Sequence, residues 1–219
     1  MLLVLCFLPC LGVLFLLFIG NKTNVNLVRN FSLFTTLIIF NFSMFLTFSF
    51  DPFAFNFQFL CEIPWLALFN NHVVLAIDGL SLILLLLTTF LFPVCILLCW
   101  TINSEELVWN YCVMFLTLEF LLIAVFCCLD LLIFYVLFEA ILIPMYFIIG
   151  LYGSRHRKIR ASYLLFLYTL VSSIVMFICL LFIFLKTGST NFFVLRTFEF
   201  DPTVERLCWF AFFLSFAVK

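Results

Sequence analysis

Residues 118–160 read LEFLLIAVFCCLDLLIFYVLFEAILIPMYFIIGLYGSRHRKIR. A helix that crosses a bilayer needs about 20 predominantly apolar residues, and the runs 108–128 and 131–152 both supply them. Lipid offers no water to bond the backbone, so each run must be a helix that satisfies its own peptide groups. Asp130 leaves room only for a very tight turn between them, which makes the two helices antiparallel neighbours. Arg155, Arg157, Lys158 and Arg160 then form a charged anchor at one membrane face.

The pattern repeats in both directions. Further apolar runs cover 2–20, 31–50, 79–100, 161–185 and 207–219. The chain therefore reads as an all-α polytopic membrane protein of about seven transmembrane helices, a single membrane domain over 1–219. The first run lacks the basic lead and small-residue cleavage site of a signal peptide, so it is read as a retained helix. Residues 51–78, with Pro52 and Pro64, are placed outside the hydrocarbon. A helix over 207–219 rises only about 18 Å, against a core of about 30 Å. The expectation is a chain that ends within its seventh helix, as one piece of a split protein or a fragment.

Composition agrees. Of 219 residues, 68% are hydrophobic and 10% charged; globular domains carry about 45–50% and about 25%. A soluble enzyme, a nucleic-acid binder and a disordered protein are excluded. The net charge of -1 points to no strongly charged partner. Ten cysteines occur without a CxxC and mostly within apolar runs, so they are read as small polarizable hydrophobes. No haem or iron–sulfur ligand set, phosphate loop or nucleophile triad is present. Phe is over-used, at 35 positions, as an AT-rich organelle coding sequence would produce.

Loop charges set the orientation. The loops after helices one, three and five hold Lys22, Arg29, Arg155, Arg157, Lys158 and Arg160. The opposite loops hold Lys186, Arg196 and Arg206 among Asp51, Glu62, Asp78, Asp130, Glu199, Asp201 and Glu205. The positive-inside rule turns the 154–160 side toward cytoplasm or matrix. The sequon Asn21-Lys22-Thr23 falls on that inner face and is discounted, and the basic loop is expected to touch anionic lipid. His72 and His156 are read as solvated loop residues.

Three ionisable residues remain inside apolar runs: Glu119, Glu139 and Lys219. A charge there costs about 2.5–3.5 kcal/mol even on the forgiving insertion scale. Glu139 lies about 13 Å along the axis from Asp130, near the bilayer centre, and Glu119 and Lys219 come out equally deep. Burial disfavours the charged form of acid and amine alike, and a facing opposite charge restores it. A mid-membrane Glu facing a Lys is thus a bistable pair, as a proton relay requires. Glu119 can share in such a relay or simply hold helices together as a neutral acid. Pro144 weakens the ladder of the Glu139 helix and leaves carbonyls for other donors.

With these residues in place, IDGLS (77–81), LTTFLFPVCIL (87–97), the 118–171 stretch that contains FYVLFEAILIP, and FAFFLSFAVK (210–219) resemble the mitochondrial NADH dehydrogenase subunit 4 family. That family comprises antiporter-like, proton-pumping membrane subunits of respiratory complex I. The resemblance implies the first half of an inverted-repeat fold and a relay pair of Glu139 on helix five with Lys219 on helix seven. It implies no cofactor in this chain, with flavin, iron–sulfur clusters, NADH and ubiquinone held by other subunits. The implied partners are other complex I membrane subunits, membrane lipids and a separate chain supplying the rest of subunit 4. The implied location is the mitochondrial inner membrane. Ser172 departs from the family pattern, which places Gly there. Two rival readings are a membrane scaffold that conducts nothing and a cation/proton antiporter subunit without NADH oxidation.

Overall fold

The computed structural model describes residues 1–20, 24–54, 56–66, 71–102 and 104–219. The sequon with Lys22, and the side chain of His72, lie outside the described residues. Nine α-helices occur among the described residues: α1 (Leu2–Ile19), α2 (Val25–Ser49), α3 (Gly79–Leu97), α4 (Glu105–Cys127), α5 (Leu131–Ala140), α6 (Leu142–Tyr152), α7 (Lys158–Thr187), α8 (Phe192–Thr197) and α9 (Pro202–Val218). A 3-10 turn, Leu98–Thr101, extends α3. With α5 and α6 joined as Leu131–Tyr152, six segments are long and apolar enough to cross a membrane. The architecture is the predominantly helical, polytopic one expected.

Three differences from the sequence reading have physical causes. Residues 51–78 contain a two-stranded hairpin, β1 (Gln58–Leu66) with β2 (Asn71–Ile77). Val73, Val74 and Ile77 suit extended backbone, and Pro64 is tolerated because each strand of a pair keeps a free edge. α2 begins at Val25, ahead of the apolar run, and takes Arg29 into the helix. α9 begins at Pro202 rather than 207, because Pro fits the first turn of a helix where its missing N–H is not needed. At 17 residues, α9 rises about 26 Å, more than the apolar run alone would give.

The first compact unit, Met1–Cys61 with Leu75–Cys127, is held by α1 to α4. Lipid gives helices no hydrophobic reason to associate, so close approach and interhelical hydrogen bonds carry the packing. Gly12 supplies the first: a Cβ there would stand 3.5 Å from Leu116 and 3.7 Å from Thr35, so α1 lies against both α2 and α4. Polar bonds supply the second. Ser43 and Thr89 share a buried 2.7 Å bond, the Trp109 indole donates to the Leu16 carbonyl at 3.0 Å, and the Tyr111 hydroxyl donates to the Cys95 carbonyl at 2.8 Å. Arg29 Nη2 donates to the Ile102 carbonyl, which puts the start of α2 and the end of the third span on one side. The alternation of loop charges requires that placement.

The second unit comprises Glu62–Val74 and Cys128–Lys219. Asp130 caps α5 by accepting from the Leu132 and Ile133 amides at 3.0 and 3.1 Å. Its other oxygen accepts from the Thr190 hydroxyl at 2.8 Å. The Leu131 amide donates to the Thr190 carbonyl and the Phe192 amide to the Leu129 carbonyl, each at 3.0 Å, so the start of α5 is tied to the segment after α7. α7 packs on α6 through Gly150, where an added Cβ would meet Ser162 Oγ at 3.4 Å, and on α9 through Cys179, Ile183 and Ala211.

Candidate functional site: the break in the fifth span

The fifth span breaks at Ile141, between α5 and α6. Pro144 is the cause: it has no N–H to offer the Ala140 carbonyl, and its ring crowds that same group. Glu139 therefore occupies the last turn of a half-helix, where carbonyls gather the negative end of the helix dipole.

Lys219 answers that end. Its ammonium donates to the Phe138 carbonyl at 2.6 Å and sits 3.1 Å from the centroid of the Phe138 ring, a cation–π contact. An aromatic seam brings it there. Phe216, one turn before Lys219 on α9, packs against Phe138 at 5.5 Å and Phe134 at 6.3 Å between centroids. Some of the excess Phe thus shapes this contact rather than facing lipid.

The expected pair is therefore in one neighbourhood, close enough to interact electrostatically, with the lysine seated on the carbonyl next to the carboxylate. Glu139 is half-buried, and its Oε1 has no hydrogen-bond partner among the described residues. One turn before Lys219, Ser215 is also buried with an unpartnered hydroxyl oxygen.

Two further side chains complete the surroundings. Tyr135 stacks on Phe177 of α7 at 5.2 Å. α5 and α7 run in opposite directions, so the residue one turn after Tyr135 faces the residue one turn before Phe177. Those residues are Glu139 and Ser173. The buried Ser173 hydroxyl lies within reach of both Glu139 and Tyr135. Its single proton is committed to the Leu170 carbonyl at 2.8 Å. The pairwise register that reveals Ser173 and Tyr135 is invisible along the chain, although Tyr135 stands at the same-face spacing from Glu139.

Glu119 belongs to the first unit. It is fully buried on α4, and neither carboxylate oxygen has a partner among the described residues. No cluster of metal-ligating side chains occurs among the described residues. His156 is exposed, in the turn before α7.

A family model described as NADH:quinone oxidoreductase/Mrp antiporter, TM, matches residues 128–219, the part that holds this site. NADH-ubiquinone oxidoreductase chain 4 of Arabidopsis thaliana is 48% identical over 217 residues, which cover 99% of this chain and 43% of that protein. The chain 4 proteins of Marchantia polymorpha and Triticum aestivum are 47% and 49% identical over 97% and 99% of this chain. Among solved structures, respiratory complex I from Thermus thermophilus with bound NADH contains a chain of the same fold. Its TM-score is 0.82 at 24% identity, over 99% of this chain and 43% of that one. The chain is similar to NADH-ubiquinone oxidoreductase chain 4 proteins along nearly all of its length, and spans less than half the length of the relatives it matches.

Proposed function

We propose that this chain is the proton-loading part of a membrane-arm subunit of a proton-translocating NADH:ubiquinone oxidoreductase, with Glu139 and Lys219 as its relay pair. The observation that carries the reading is the lysine seated at the broken helix end, beside a half-buried carboxyl whose Oε1 is unpartnered. The similarity to chain 4 proteins along the whole chain supports it.

The chemistry follows from competition. With Lys219 hydrogen-bonded to the Phe138 carbonyl rather than to the carboxyl, Glu139 is left to take up a proton. Ser173 and Tyr135 are the hydroxyls beside Glu139, and are proposed as the first stations that proton meets. When Lys219 moves to Glu139, the ion pair stabilises the carboxylate and the proton leaves. Redox chemistry in other subunits, which hold the flavin, iron–sulfur clusters, NADH and ubiquinone, would drive that movement. The setting is the mitochondrial inner membrane, beside other complex I subunits and lipid. The remaining length that the relatives carry completes the path, whether in the same polypeptide or a separate one.

Glu119, in the first unit, is proposed as a further relay acid. Glu119→Gln keeps the shape and removes the proton, so pumping should fall if the acid works and hold if it only packs. Glu139→Gln in the intact complex tests the main reading: the expected result is a lower proton-to-electron ratio with assembly retained. An unchanged ratio would sink the relay and leave the scaffold. Sodium-dependent transport without NADH oxidation would favour the antiporter instead.

A further inference from the structure

Cys99 and Cys112 are both fully buried in the first unit, and their sulfurs stand 3.8 Å apart. Cys99 lies in the 3-10 turn that ends the third span, and Cys112 lies in the second turn of α4. Along the sequence they look like two more small hydrophobes. The fold makes them a dithiol.

The surroundings are not those of an inert pair. Arg29, from α2, donates to the Ile102 carbonyl just after that turn and lies over the Trp100 ring at 5.9 Å. Its guanidinium reaches the two thiols electrostatically, and its buried Nε has no partner among the described residues. The Ser32 hydroxyl donates to Cys112 Sγ at 3.3 Å. Thiols become nucleophiles as thiolates, and they do so beside a cation. An open cleft lined by Asn26, Asn30 and Glu105 lies at the same ends of α2 and α4.

We infer that Cys99 and Cys112 form a peroxide-oxidisable dithiol, assisted by Arg29, that closes to a disulfide between the third span and α4. Cys99, nearest the guanidinium-held turn, gives up its proton and attacks hydrogen peroxide. An S–O bond forms, the O–O bond breaks, and the departing hydroxide takes the proton as water. Cys112 Sγ then attacks the Cys99 sulfur. The S–S bond forms, the S–O bond breaks, and the second hydroxide leaves as water with the Cys112 proton. Two electrons pass from the thiols to the peroxide. Cys179 and Cys208, on α7 and α9, provide the internal comparison: they also neighbour one another, within an apolar cluster.

The test uses the intact complex in native membranes, exposed to hydrogen peroxide, blocked with N-ethylmaleimide in denaturant and digested without reductant. The expected result is a Cys99–Cys112 linked peptide, lighter by two hydrogens, that grows with peroxide and disappears with dithiothreitol. Arg29→Gln should slow its appearance severalfold, and Arg29→Lys should restore most of the rate. Recovery of both thiols alkylated after peroxide would overturn the proposal, as would either cysteine linked elsewhere. A linked peptide that forms equally fast in Arg29→Gln would remove the arginine from it.

Discussion

Lys219 can leave a proton behind or take one up, and an arginine in its place cannot. The Lys219→Arg variant keeps the charge, the carbonyl contact and the aromatic neighbour. It should nonetheless lower the proton-to-electron ratio of the assembled complex severalfold, read as proton release per NADH oxidised. Asp130 calls for a different measurement. Its two oxygens serve two helix amides and the Thr190 hydroxyl. Asp130→Ala should cost on the order of 1–3 kcal/mol, seen as a lower unfolding temperature of the detergent-extracted complex. At this scale the sequence is partly legible. Glu139, Lys219 and Glu119 stand out because a charge in an apolar run is expensive. Ser173, Tyr135 and the Phe138 carbonyl do not, since a serine in a helix and a backbone oxygen acquire meaning only from the register of α5 against α7. Cys99 and Cys112 read as filler for the same reason: the contact depends on how the third span meets α4.

The broken fifth span is the element on which the proposed chemistry turns. Pro144→Ala gives residue 144 an N–H, so the Ala140 carbonyl can be bonded and the two half-helices can join. The variant should pump less while the complex stays as stable or becomes more so, checked by proton stoichiometry alongside a melting curve. Loss of stability together with pumping would mean that the break serves packing alone. Hydropathy delimits the spans, and it fails where polar residues are helical. Arg29 in α2 and Glu205 with Arg206 in α9 belong to helix ends that a purely apolar criterion cuts off. The hairpin escapes the same criterion, which marks 51–78 as non-spanning but does not weigh what its β-branched residues favour.

At the scale of the chain, composition and run length are enough to give the class. The outward side chains agree with it: Phe18 is 92% exposed, and Leu80 and Ile83 about as freely placed as Leu207, a surface made for acyl chains. Orientation is directly testable. A cysteine at His156, in an exposed turn, should react with a membrane-impermeant maleimide only from the matrix side of the inner membrane. Labelling from the other side would invert the whole arrangement. On the proposed reading a distant redox event must reach Glu139; the sequence does not contain how, and the break at Ile141 bears on it. The carbonyl that holds Lys219 carries no titratable proton, so its own share of the hold is geometric. It changes with the bend of the helix that presents it. A force that opens or closes this joint by a few degrees alters the berth and not the rival carboxylate, and so decides where the lysine rests. On the proposed reading, the span acts as a strain gauge whose output is a proton.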